Sequence, residues 1–189
     1  MRFQQQKSKA LNDYRASVRV GDVDESLIPL LDEINRMESY YTTSSCGGRI
    51  ALLEELGGKG LNRFIRKWHD KASVEDVMKA MGECSTELWF KCEPPILHVV
   101  AKSLEDANHF LHEAREAGFK RSGLQSSGED RNVLEVLSTE SINTPLVVDG
   151  KIVVAEEYVR ILVEDGNRKL ESGWVKIERL RERLSRGPG

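Results

Sequence analysis

The sequence predicts an α+β fold, with a mixed, largely antiparallel sheet and flanking helices. Three observations predict it. Asp149-Gly150 lies inside the run LVVDGKIVV, and this dipeptide supplies the positive-φ turn of a tight antiparallel hairpin. ELWFKCEPPILHVVAKS holds two strand-forming runs on either side of Glu93-Pro94-Pro95, and the prolines confine that point to an edge or a turn. SLEDANHFLHEAREAG puts Leu104, Ala107, Leu111 and Ala114 on one helical face, with a Ser103/Asp106 cap before it and Gly118 after it.

The other elements follow in chain order. Leu11, Tyr14 and Val18 have helical spacing in a polar N-terminal stretch. Leu27, Leu30, Leu31 and Ile34 form a second helical stripe. With Ser26 as its cap, Pro29 falls in the first turn, where no backbone donor is needed, and Asp24 stays outside the helix. Asp24 serves equally well as the cap itself. YYTTSSCGGRIALLEE reads as strand, tight turn, strand, and LGGKG at 56–60 as a loop. LNRFIRKWHDK brings Arg63, Arg66, Lys67 and Lys71 close together near Trp68, which fits either a nucleic-acid contact or a helix whose Trp packs inward. SVEDVMKAM is a short helix capped by Ser73 and Asp76, FKRSGLQSSGEDR a loop and NVLEVLSTES a strand. The chain closes in a charged helical segment from about residue 155, with Gly166 and Gly173 as interruptions. These elements read as one domain over 1–189, a length ample for a hydrophobic core.

Composition narrows the function. The chain is 39% apolar and 31% charged, and no apolar run approaches the ~20 residues of a membrane span, which gives a cytoplasmic expectation with no membrane partner. A net charge of -3 requires that any RNA be met by a local basic patch. Cys46, Cys84 and Cys92 have no CxxC spacing and read as buried or half-buried thiols, not as a disulfide or metal framework. No G-x-G-x-x-G and no P-loop is present.

Ser44-Ser45-Cys46-Gly47-Gly48-Arg49 is a small polar turn ending in a guanidinium. It suits an anion nest with a bidentate arginine, and it suits an ordinary hairpin turn. Lys91 and Glu93 share a strand face by the period of two, and His98 follows on the adjoining strand, where a His can take a proton or serve structure. His109 and His112, three apart on one helix, have no acidic or Cys partner nearby in sequence and read as surface residues.

Several blocks, in order, resemble one family. DESLIPLLDEINRMESYYTTSSCGGRI at 24–50, LWFKCEPPILHV at 88–99, AGFKRSGL at 117–124, STESINTPL at 138–146 and EEYVRILVEDGNRKLE at 156–171 are similar to the tRNA wybutosine-synthesis methyltransferases. The resemblance covers most of the chain, and the compact, single-domain length with its many charges reads as an archaeal-type member. It implies an S-adenosylmethionine-dependent enzyme that adds the N(4)-methyl group to a 4-demethylwyosine-type base beside the anticodon of phenylalanine tRNA, without a dinucleotide fingerprint. On that reading Asp24, Arg49 and His69 are the catalytic candidates. Ser44, Ser45, Cys46, Gly48, Lys91, Glu93, His98, Ser122 and Gly123 hold donor or substrate. Arg63, Arg66, Lys67, Lys71, Lys120 and Arg121 form the tRNA footprint, and no metal is implied. A non-catalytic RNA-binding module is the competing expectation, and a protein-interaction domain built on the charged C-terminal helix is a third.

Overall fold

Strand and helix signals in this chain alternate irregularly, and the computed structural model, which describes residues 2–56 and 61–186, resolves them into two sheets. The loop expected at 56–60 lies almost wholly outside the described residues. The chain divides into two compact units. The first comprises Met1–Gly47, Pro95–Thr139 and Gly173–Gly189, the second Gly48–Pro94 and Glu140–Ser172.

The first unit holds α1 (Arg2–Val20), α2 (Ile28–Arg36), β1 (Tyr40–Cys46), β5 (Ile96–Ala101), α4 (Leu104–Ala117), β6 (Gly123–Ser126) and β7 (Asn132–Leu137). Its sheet has the antiparallel order β1-β5-β7-β6. The period of two sends Leu97, Val99, Leu134 and Val136 into one core with α2 and α4, while Tyr41 and Val100 point to the other face and meet Phe3 of α1. Asn35 of α2 fastens β1: its side-chain oxygen accepts from the Thr42 amide at 2.9 Å and its amide nitrogen donates to the Thr42 hydroxyl at 2.9 Å. Both partners are buried, so each hydrogen bond also removes a desolvation cost.

The second unit holds β2 (Arg49–Glu55), β3 (Asn62–Trp68), α3 (Val74–Glu83), β4 (Glu87–Glu93), β8 (Ile142–Val148) and β9 (Lys151–Ile152). Its sheet has the antiparallel order β3-β2-β4-β8-β9. Ile50, Leu52, Leu88, Phe90 and Cys92 face a core shared with Val77, Ala80 and Met81 of α3. Glu54 is buried on the same side, where it accepts from Arg63, from Thr86 at 3.2 Å and from the Cys84 thiol at 3.5 Å. The β8–β9 hairpin turns on Asp149 at φ 49° and Gly150 at φ 69°, the expected geometry for this dipeptide.

α5 (Glu156–Ser185) is one unbroken helix. Val159, Leu162 and Val163 enter the second unit's core, and Ile177, Leu180 and Leu184 the first unit's. Gly166 and Gly173 do not interrupt it, contrary to the sequence reading. Each is a place where helix backbone meets a neighbour: a β-carbon at Gly166 would lie 3.1 Å from Phe90 Cζ, and one at Gly173 would lie 2.7 Å from two ring carbons of Pro95.

Other expectations also change. β1 and β2 flank the Ser-Cys-Gly-Gly segment but belong to different sheets, so that segment is a crossing between units and not a hairpin turn. β4 and β5 separate likewise at Pro94-Pro95, where the missing N–H groups end the ladder. Residues 62–68 form a strand, so the helix reading of LNRFIRKWHDK fails; Trp68 packs against the core from an edge strand. The stretch read as a loop after Phe119 contains β6. Leu104 is 51% exposed, because it occupies the first helical position beside the Ser103 cap, while Ala107, Leu111 and Ala114 face inward as expected. Neither Ser26 nor Asp24 caps α2: a short 3-10 turn, Glu25–Leu27, precedes it, and Leu27 takes the cap position without a side-chain bond.

Candidate functional site

The segment from Ser44 to Arg49 carries chemistry into both units. In the first unit it leaves β1, whose register shifts between Thr42 and Ser45. This irregularity exposes Ser44, whose hydroxyl lies 3.0 Å from His98 Nδ1. The other ring nitrogen, Nε2, lies 3.6 Å from the Glu135 carboxylate, and Glu135 in turn accepts from Gln125 at 2.8 Å. The order Ser44, His98, Glu135 follows from the ladder, since His98 and Glu135 are direct partners of β5 and β7. A hydroxyl, an imidazole and a carboxylate in sequence can accept a proton and stabilise the resulting imidazolium.

Asp24 stands outside α2, as one of the two sequence readings had it, and accepts a hydrogen bond from the Gly47 amide at 2.6 Å. A β-carbon on Gly47 would lie 3.0 Å from the Ser26 hydroxyl and 3.3 Å from the Asp24 carboxylate, so glycine is what allows this approach. Gly48 has φ 90°, a left-handed value that favours glycine. Cys46 is half-buried at the end of β1. The Ser45 hydroxyl is buried and has no hydrogen-bond partner among the described residues. A cavity of about 350 Å³ adjoins this strand, lined by Thr42 to Ser45 together with Asp13, Tyr14 and Asp22. Tyr14 donates to Asp32 at 2.8 Å, and burial, reinforced by that carboxylate, pushes its phenol well above the usual range.

In the second unit, Arg49 opens β2 opposite Glu93 of β4, with Nε 2.5 Å from the carboxylate. Its guanidinium carbon also lies 5.2 Å from the centroid of the Phe64 ring. Lys91 shares the face of Arg49 and Glu93, as the period of two required, and donates to Asn143 at 2.9 Å. His69 is exposed just after β3.

Ser122 is buried, donating to the Phe119 carbonyl at 2.8 Å and accepting from the Leu137 amide at 3.2 Å. Its hydroxyl therefore closes the α4–β6 connection, and Gly123 simply begins β6. The basic cluster does not gather as expected, because an extended strand spreads it. Arg63 is committed to Glu54 and Lys71 to Glu171, at 2.6 and 2.5 Å; Lys67 leans over Phe64 at 5.1 Å; Arg66 is exposed. Lys120 and Arg121 are exposed residues of the first unit. Sequence reasoning passed over Glu135 and Phe64. Neither had a local signal: NVLEVL puts one polar and two apolar residues on each strand face, so Glu135 needed the β5–β7 ladder and Phe64 the strand assignment.

Among the described residues no helix is long and apolar enough to cross a membrane. The family model for Methyltransferase TYW3 matches residues 5–186. A Pyrococcus furiosus protein named tRNA(Phe) 7-((3-amino-3-carboxypropyl)-4-demethylwyosine(37)-N(4))-methyltransferase 1 is 39% identical over 96% of this chain and 94% of its own. A Methanocaldococcus jannaschii relative with the same name apart from its final numeral is 34% identical over 97% of both chains. A solved structure from Pyrococcus horikoshii superposes with a TM-score of 0.90 at 38% identity, covering 96% of this chain and 95% of that one. One from Aeropyrum pernix gives 0.77 at 32% identity, covering 86% and 98%.

Proposed function

The chain belongs to the Methyltransferase TYW3 family, and from that premise we propose that it transfers a methyl group from S-adenosylmethionine to N(4) of a 4-demethylwyosine-type base beside the anticodon of phenylalanine tRNA in the cytoplasm. The non-catalytic reading gives way to family membership. The observation that carries the chemistry is His98, held between Ser44 and Glu135.

S-adenosylmethionine, when bound, supplies a methyl on a sulfonium whose departing bond pair returns to sulfur. Each unit, taken by itself, carries side chains that fit part of this chemistry. Arg49 and Glu93 set a cation and an anion side by side, a match for a zwitterionic amino-carboxypropyl group, and Lys91 adds a second cation on the same face. That group occurs both in the methyl donor and in the base named for the curated relatives. As N(4) gains the methyl, it loses its proton. Ser44 passes that proton to His98, and the Glu135 carboxylate stabilises the imidazolium. Asp24 holds the Gly47 amide and so fixes the backbone just after β1 within the first unit. Positioning of this kind supplies up to roughly 7–11 kcal/mol of a barrier.

Calorimetric titration with S-adenosylmethionine and S-adenosylhomocysteine, followed by methyl transfer to hypomodified phenylalanine tRNA, tests the proposal. Saturable donor binding and transfer of label to the tRNA are expected. Donor affinity lost in Arg49→Ala assigns the zwitterion grip to the donor, and affinity retained with a raised KM for tRNA assigns it to the base. No transfer to hypomodified tRNA sinks the functional reading.

A further inference from the structure

The second unit's sheet has two faces. One packs against α3 and the first turns of α5; the other carries Arg49, Phe64, Lys67, Trp89 and Lys91. The ladder orders the second face into rows. Phe64, Leu53, Trp89 and Pro145 are direct partners across four strands and make an apolar row. Next to it runs the row Lys67, Ala51, Lys91, Asn143, which is cationic. On the other side Asn62, Glu55 and Glu87 make an anionic row. Phe64 ends the apolar row on the edge strand, and the residue is 40% exposed, with Arg49 and Lys67 placed 5.2 and 5.1 Å from its ring centroid.

We propose that Phe64 is a stacking platform for an unpaired base of the RNA, with Lys67 taking the adjacent phosphate and the Glu55/Glu87 row fixing which way the backbone runs. The proposal rests on the tRNA reading above and adds to it the residue that holds a nucleotide. An exposed aromatic on a sheet face flanked by cations is how single strands are bound without base-edge readout. The charge asymmetry supplies the commitment to RNA: phosphates are attracted on one side of the ring and repelled on the other. A cation over an exposed ring is weakly held, and it yields the π-face to a base while staying close to the phosphate.

The test uses the full chain, a synthetic anticodon stem–loop of phenylalanine tRNA, and a fully paired duplex of equal length. Phe64→Ala is expected to weaken stem–loop binding about 5- to 100-fold and to leave the slope of log affinity against log salt unchanged. Phe64→Tyr and Phe64→Trp keep the affinity, and the duplex shows no dependence on residue 64. Lys67→Ala lowers the salt slope by about 0.7. Unchanged binding in Phe64→Ala, or wild-type affinity in Phe64→Leu, overturns the stacking role, and if the wild type still methylates tRNA it does so without touching the function proposed above. A wild-type chain that neither binds the stem–loop nor methylates tRNA overturns both.

Discussion

Arg49 and Glu93 face each other as direct partners of β2 and β4, their charged groups 2.5 Å apart on a partly exposed sheet face. An ion pair in that position contributes about 1 kcal/mol or less to stability, so its geometry is better understood as held in readiness for a ligand. Arg49→Ala is expected to leave the unfolding midpoint nearly unchanged and to lower kcat/KM for methyl transfer on the order of 100-fold. Arg49→Lys recovers only part of this, since an ammonium lacks the planar fork. Wild-type turnover in Arg49→Ala removes the residue from the site.

Glu54 gives the second unit a dependence on acid. Its hydrogen bond from Arg63, against the opposing cost of burial and with help from Thr86 and Cys84, holds its carboxyl below the ordinary value of 4.5. A carboxylate stabilised in the folded state contributes fully above that ordinary value, and the contribution disappears as pH falls through the lower, folded value. Urea unfolding between pH 7 and pH 3 is therefore expected to show a loss of stability below about pH 4.5 that is smaller in Glu54→Gln. At neutral pH, Glu54→Ala costs about 1–3 kcal/mol by leaving its donors unpaired. Parallel pH curves for wild type and Glu54→Gln count against this.

Gly173 reverses the usual rule for glycine in a helix. Replacing a helical glycine with alanine normally gains about 1 kcal/mol, but the new methyl here meets the rigid Pro95 ring at 2.7 Å. Gly173→Ala is expected to destabilise the chain by about 1–3 kcal/mol in chemical denaturation. An increase in stability would show that the ring moves aside freely.

The thiols should separate by reactivity. Burial, the largest influence, pushes the Cys92 thiol up to about 11, and Cys84 is also buried, while Cys46 is only half-buried. Iodoacetamide at neutral pH is expected to label Cys46 first, with Cys92 reached only after denaturation, as read by peptide mass spectrometry. Early labelling of Cys92 contradicts the packing around it.

Much of this was legible in the sequence because local chemistry decided it. Ser103 and Asp106 form a reciprocal cap, Gly118 ends α4 at φ 110°, and Asp149-Gly150 makes its turn, since each depends only on neighbours in the chain. Sheet membership was not legible. YYTTSSCGGRIALLEE and the runs around Pro94-Pro95 have the pattern of hairpins, yet nothing local says whether the second strand pairs with the first or leaves for another sheet. The candidate site was readable as a set of residue types: Ser44, Arg49, Glu93 and His98 were singled out from their blocks. Their partners were not, because Glu135 reaches His98 through a ladder of residues 37 positions apart in the chain, and Phe64 meets Arg49 only through a strand first read as ambiguous.

The unbroken run of α5 has a consequence for synthesis. Unit two takes Val159, Leu162 and Val163 from it, and unit one takes Ile177, Leu180 and Leu184. Each unit is also assembled from stretches interleaved with the other's. A nascent chain emerging from the ribosome therefore cannot finish either core from its leading residues, as tandem domains do. Both hydrophobic interiors wait open until α5 has cleared the exit tunnel, and it is then that chaperone binding to this polypeptide should end.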